Sequence, residues 1–121
     1  MEQNFYDLFL PYINAILARK SINPVMIDVR GLTSYTDALI ICSANSSRHV
    51  VAIAEHVKKD LKKKTIKALS IEGLKEGHWV LMDYGDIILH IFYEPERTLY
   101  DLEGLWIDAD IKKLDNNSFD I

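Results

Sequence analysis

A single cysteine, Cys42, is all that the 121 residues contain. It excludes an internal disulfide framework and a multi-cysteine zinc site, and it suits a reducing compartment. No apolar run approaches the roughly 20 residues that a bilayer crossing needs. The N-terminus, Met-Glu-Gln-Asn, has no basic start leading into an apolar block, so no signal peptide is read there. A basic surplus is missing too: 14 Lys and Arg face 18 Asp and Glu, for a formal net charge of −4. Proteins that coat nucleic acid carry the opposite balance. Repeats and low-complexity segments are also absent. The sequence therefore predicts a mildly acidic, cytoplasmic, globular protein of one domain. At this length the chain buries roughly two thirds of its unfolded surface without needing a metal or a disulfide.

The strings that cradle phosphate, G-x-x-x-x-G-K-[ST] and G-x-G-x-x-G, do not occur. Asp83 and Asp86 are the candidates for holding a metal ion in phosphoryl transfer. They flank a turn instead of alternating along one strand, which argues against that use. His49 and His56 stand seven residues apart on a predicted helix, too far for one metal ion without other ligands. His90 reads as a packed, hydrogen-bonded side chain before it reads as a general base. Cys42 ends a buried strand and behaves as a small hydrophobe. No catalytic residue, metal ligand or cofactor is assigned, and a binding module is favoured over an enzyme.

What the chain does contain is periodic. Tyr6, Phe9, Leu10, Ile13, Ile16 and Leu17 recur at helical spacing between residues 4 and 19. Pro11 kinks that helix or starts its second part, and Asn23-Pro24 ends it. Val25 to Val29 reads as a strand and Arg30 to Asp37 as a loop. Ala38 to Cys42 is a continuous apolar run, the mark of a buried strand. Ser43 to Ser47 offers N-caps for a helix from about Ser47 to Lys64, with Val50, Ile53, Ala54, Val57 and Leu61 on its buried face. The lysine-rich end of that helix suits its dipole. Lys67 to Ile71 is a short strand and Gly73 to Gly77 a loop. Trp79 to Asp83 and Asp86 to Tyr93 are two further strands. Pro95 breaks the last of these, Glu96 to Trp106 forms short helical turns, and Asp108 to Ile121 reads as a polar, weakly ordered tail. This order predicts an α/β (α+β) sandwich on a mixed sheet of about five strands. Two helices cover one face of such a sheet and leave the second partly open to a partner.

Charge and aromatic residues are unevenly placed. Between Ser46 and Lys75 eight basic residues face three acidic ones; between Asp83 and Asp110 eight acidic residues face one base, Arg97. Six of the twelve aromatic residues lie between Trp79 and Trp106. An acidic, aromatic-rich segment is a candidate for binding a basic partner. Aromatics filling a core while acids solvate a surface would give the same pattern, and pattern alone leaves both open. The lysines of 58 to 64 read as a solvated helix end, because no arginine or aromatic stands among them to stack on bases. Residues 1–100 hold 12 acidic and 12 basic residues, so the whole negative surplus lies in 101–121.

In the string WVLMDYGDIILHIF, Tyr84-Gly85 reads as a two-residue hairpin turn. Asp83 then faces Asp86, Leu81 faces Ile88 and Trp79 faces His90. One face, with Val80, Met82, Ile87, Leu89 and Ile91, is wholly apolar and must be core. The other carries Trp79, Leu81, Asp83, Asp86, Ile88 and His90. Opposed like charges destabilise a sheet. A partner cation would offset that cost, or the two carboxylates would splay into water.

The strings DALIICSANSSRHVVAIAEHV, EGLKEGHWVLMDYGDIILHIF and ERTLYDLEGLW together resemble the ribosomal silencing factor family, also called Iojap-like proteins. The resemblance spans about residues 5 to 110 in order and spacing. Pro11 and the tail after Leu114 depart from the family pattern. The resemblance implies a single family domain over residues 1–110 with a polar tail at 111–121. It further implies a nucleotidyltransferase-like core without that superfamily's catalytic motif, and no cofactor. The implied role is binding to the large ribosomal subunit at ribosomal protein L fourteen, blocking subunit joining and lowering translation when nutrients are short. A homodimer in the free state is also implied, with no sequence-specific nucleic-acid or membrane binding. On the residues, Trp79, Asp83, Tyr84, Asp86 and His90, with Tyr93, Arg97, Tyr100, Leu102, Glu103 and Trp106, are expected to build or support the docking surface. Aromatics there supply affinity and rim carboxylates orient the partner. Two alternatives stay open: a factor for assembly of the large subunit, and a nucleotidyltransferase-like enzyme.

Overall fold

The structure, a computed structural model, describes residues 4–114. Its central fact is a strand, β2 (Ala38–Ala44), in which every residue is buried. A strand of that kind needs neighbours on both edges and cover on both faces. The chain supplies them in order. A short 3-10 turn at Tyr6–Phe9 leads into α1 (Leu10–Leu17) and β1 (Ile22–Asp28). After β2 come α2 (Ser47–Lys63), β3 (Ser70–Glu72), β4 (Trp79–Asp83) and β5 (Ile87–Tyr93). Two short helices, α3 (Glu94–Tyr100) and α4 (Leu102–Leu105), precede β6 (Asp110–Lys113). The six strands lie in the order β3-β4-β5-β2-β1-β6. β2 and β5 run parallel, and every other pair is antiparallel.

Alternation along the strands divides the interior in two. Met26, Ile40, Cys42, Val80, Met82, Leu89 and Ile91 face α1 and α2, whose Ile13, Ile16, Val50, Ile53, Val57 and Leu61 complete that core. The buried face of α2 is the one its periodicity predicts, and Ser46 caps it by accepting from the His49 backbone N–H at 3.1 Å. The opposite sheet face buries Val25, Ile27, Val29, Leu39, Ile41, Ile88 and Phe92. Only partly buried side chains, among them Leu102, Trp106 and Ala109, lie over it.

One local alternative is decided and three expectations change. Pro11 sits in the first turn of α1, so it starts the second part of the N-terminal helical segment. Asn23 and Pro24 do not end that segment but lie inside β1. Asn23 takes φ 46° and the β1–β2 register shifts between Ile22 and Val25, which makes an edge-tolerant bulge. In the hairpin the register is Asp83↔Ile88, Leu81↔His90 and Trp79↔Phe92. The turn therefore centres on Gly85-Asp86, with Tyr84 N–H donating to the Ile87 carbonyl at 3.0 Å and Gly85 at φ 89°. Asp83 and Asp86 are not opposed, and no like-charge cost needs a partner cation. A slip of two residues leaves both faces of the strands as expected. Finally, the sheet has six strands rather than about five. The segment from Asp108, expected as tail, contributes β6, and Leu114 beyond it is buried with its N–H on the Pro24 carbonyl at 2.8 Å. The remainder of the expected tail, 115–121, lies outside the described residues.

One strained position closes α2. Thr65 has φ 63°, where a β-branched residue is out of place. Its N–H reaches the Lys62 carbonyl and that of Ile66 reaches Leu61, both at 2.9 Å, so the chain folds back over the helix end. Replacing Thr65 by Gly should relieve about 1–2 kcal/mol of left-handed strain against about 0.5–1 kcal/mol of added unfolded-state entropy. The expected result is a net gain and a melting temperature higher by a few degrees. A lower melting temperature would contradict this account of the turn.

Candidate functional site

Trp79 opens β4 on the sheet face away from α1 and α2. Its cross-strand neighbour Phe92 stacks on it, with ring centroids 4.9 Å apart. Tyr100, at the end of α3, lies 4.8 Å from the same indole. The indole N–H donates to Nδ1 of His90 at 3.0 Å. With Nδ1 accepting, the imidazole is neutral and carries its hydrogen on Nε2. Burial pushes the His90 pKa down to about 4. His90 is thus a packed member of an aromatic cluster with no reach for proton transfer to a substrate.

The chain after β5 forms a strap across this face. Pro95 is accommodated in the first turn of α3. Asp101, at φ 44°, turns the chain from α3 into α4. Leu102 and Trp106 then pack onto the sheet beside Trp79 and Leu81. Arg97 holds the strap down. Its side chain is only 12% exposed, and its Nε and Nη2 donate to the two Glu103 carboxylate oxygens at 3.2 and 3.1 Å. Its Nη1 donates to Ser43 Oγ at 3.0 Å and to the Ile22 carbonyl at 3.2 Å. One guanidinium therefore joins α3, α4, β1 and β2. The bidentate fork supplies direction as well as charge.

Because Arg97, Leu102 and Trp106 face the sheet, other side chains of the strap face out. Leu99 is 73% exposed, Leu105 71% and Ile107 82%, with Tyr100 half-exposed. Glu94, Asp101, Asp108 and Asp110 of the same segment are exposed too. The strap thus exposes large apolar side chains among acidic ones along its sequence.

Of the residues expected at the site, Trp79, His90, Arg97, Tyr100, Leu102, Glu103 and Trp106 come together here. The other four do not. Tyr84 packs against Tyr12 with centroids 5.3 Å apart, on the α1 side, where burial first and Tyr12 second push its pKa to about 12. Tyr93 is partly buried against that same core. Asp83 and Asp86 sit at the turn end of the hairpin, far along β5 from α3, where Asp83 Oδ1 accepts from the Gly85 N–H at 2.8 Å. Sequence reasoning missed Leu99 and Ile107 altogether. Their signal was there: the strap has more large apolar residues than one face of two short helices can bury.

An open cleft of about 920 Å³ lies between β1 and α3. Arg97 and Glu103 line it already paired to each other, so they are not poised for a ligand. No group of three His, Cys, Asp or Glu side chains able to hold a metal ion occurs among the described residues. The arrangement offers contact area and charge, and no reacting group.

Comparison with known proteins adds a family. The model described as "Ribosomal silencing factor during starvation" matches residues 2–120. A ribosomal silencing factor from Halalkalibacterium halodurans is 36% identical over 103 residues, covering 85% of this chain and 88% of its own. A mouse protein named "Mitochondrial assembly of ribosomal large subunit protein 1" is 33% identical over 75 residues, 60% of this chain and 33% of its own length. A crystal structure of a protein from Chromobacterium violaceum superposes with a TM-score of 0.80 at 31% identity, covering 86% of this chain and 87% of that one.

Two results are expected from the site's geometry. Arg97→Ala leaves Glu103 without its cation and Ser43 without its donor, at a cost of about 2–4 kcal/mol in urea denaturation; a loss under 0.5 kcal/mol would show that the strap is held by its apolar contacts. The second concerns pH. The folded His90 excludes a proton that the unfolded chain binds between about pH 4 and its ordinary value of about 6.5. Stability therefore falls as pH drops through that window, by about 3 kcal/mol in all. His90→Asn, which keeps an acceptor for the Trp79 N–H, should flatten this slope in unfolding curves at pH 7, 6 and 5.

Proposed function

The chain belongs to the ribosomal silencing factor family, and from that premise we propose that it docks on the large ribosomal subunit through ribosomal protein L fourteen and blocks joining of the small subunit. The block is steric: the factor occupies a surface the small subunit needs, and no bond is made or broken. Translation falls accordingly when nutrients are short. In the cytoplasm the free protein pairs with a second copy.

The observation that carries this proposal is the exposure on the strap of Leu99, Tyr100, Leu105 and Ile107 together with Glu94, Asp101 and Asp108. An apolar centre with a charged rim is the anatomy of a protein interface. Tyr100 is the expected anchor, because its ring is already held by Trp79 and loses little freedom on binding. Glu94, Asp101 and Asp108 steer the strap toward a basic protein and set its orientation. Trp79, His90, Arg97, Leu102, Glu103 and Trp106 support the exposed side chains from beneath. Asp83 and Asp86, at the hairpin turn, and Tyr84 and Tyr93, against the other core, stand apart from this cluster.

A role in assembly of the large subunit is the second reading, favoured by the name of the mouse relative. The two differ in the particle bound: mature large subunits for silencing, immature ones for assembly.

Tyr100→Ala and Ile107→Ala should each weaken co-sedimentation with mature large subunits by about tenfold, or about 1.4 kcal/mol, and restore subunit joining in a gradient assay. Wild-type protein that leaves joining untouched at saturating concentration would sink the silencing mechanism. Binding restricted to immature particles would put assembly in its place.

A further inference from the structure

The uneven charge of the sequence becomes a division in space. The acidic strap lies on one face of the sheet, whereas α2 lies on the other. At the C-terminal end of α2 a groove of about 240 Å³ runs between the helix and β3, lined by Lys58, Lys62, Lys67 and Ser70 above an apolar floor that includes Ile66 and Ile71. Lys58 and Lys62 are one helical turn apart, about 6 Å along the axis. Lys67 comes from the far side of the chain reversal at Thr65. The reversal at that residue therefore brings a third lysine to the groove wall. Ion pairing does not neutralise them: among the described residues of this region only Lys64 has a carboxylate partner, Asp60 at 3.2 Å. Unpaired cations gathered in a groove repel each other until an anion enters.

We propose that this groove binds the phosphate backbone of an RNA duplex, independently of base sequence, as a second contact on the sheet face opposite the acidic strap. Lysine is a point charge with no plane to stack, and no aromatic lines the groove, so the contact positions without reading bases. The layout of charge selects RNA over other polyanions. One pole suits a basic protein and the opposite pole suits phosphate. A ribonucleoprotein carries both basic protein and phosphate and can meet the two poles from different sides, while an anionic membrane presents no basic protein. To that extent the inference rests on the ribosomal reading above.

The test uses the whole chain and a variant, Lys58→Gln/Lys62→Gln/Lys67→Gln, in which all three sites are exposed and the two on α2 keep their helix propensity. Affinity for a fluorescent RNA duplex is measured from 50 to 200 mM salt. The wild-type protein should bind with a steep salt dependence. The variant should lose about tenfold or more in affinity at low salt, and its slope of log affinity against log salt should be shallower by about two to three, one unit or slightly less per phosphate contact. Equal affinities and slopes, or binding to phosphatidylserine vesicles in place of the duplex, would overturn the groove. Co-sedimentation with large subunits separates the two ideas. If subunit binding depends on Tyr100 but not on the lysines, the groove fails and the docking proposal stands. If the duplex is bound through the lysines and native subunits are not bound at all, the groove stands and the docking proposal fails.

Discussion

Everything in this molecule follows from β2 having no exposed side. Its seven residues are buried on both sheet faces and both edges. α1 and α2 close one face with full-length apolar stripes. For the other face the described residues supply α3 and α4, of seven and four residues. Helices that short cannot hold themselves by backbone bonding. They are held instead by what they touch: Leu102 and Trp106 on the sheet, Tyr100 on Trp79, and one arginine. The guanidinium of Arg97 does what a longer helix would have done by packing. It leaves the outer side of the strap free of structural duty, which is why Leu99 and Ile107 can stand in water.

Much of this was legible in the chain. The buried face of α2 and the burial of β2 follow from periodicity, since each is set by one repeat within one element. Errors arose where distant residues decide. β6 looks like tail because Asp110–Lys113 is polar; it is a strand because β1 has an open edge to receive it. The hairpin turn depends on which residue takes positive φ, and both registers place Gly85 in the turn. Of the site, the aromatic cluster was legible as a group, because Trp79 and His90 alternate onto one face. Tyr84 and Tyr93 lie with the other core; an aromatic near acids reads alike whichever sheet face it takes. The role of Arg97 as a clasp depends on Ser43 and the Ile22 carbonyl, which no local pattern connects to it.

The net charge says little about such a protein. The acidic strap and the lysine-lined groove lie on opposite faces of the sheet, so the charge a partner meets depends on its approach. The sheet therefore acts as a partition as well as a core. Each face can be altered with little effect on the other, because the two side-chain sets touch different layers.

The seam between β1 and β6 also sets the order in which the molecule can form. Val25 pairs with Lys113 and Asp28 with Asp110, so the first strand of the chain waits for the last one. Loops of that length close slowly compared with a hairpin such as β4–β5. During the wait the outer edge of β1 is an open row of amides and carbonyls, able to recruit a strand from another chain. Pro24 offers no N–H there, and the bulge at Asn23 bends the edge out of register. What looks like an irregular strand in the finished fold is a guard on the unfinished one.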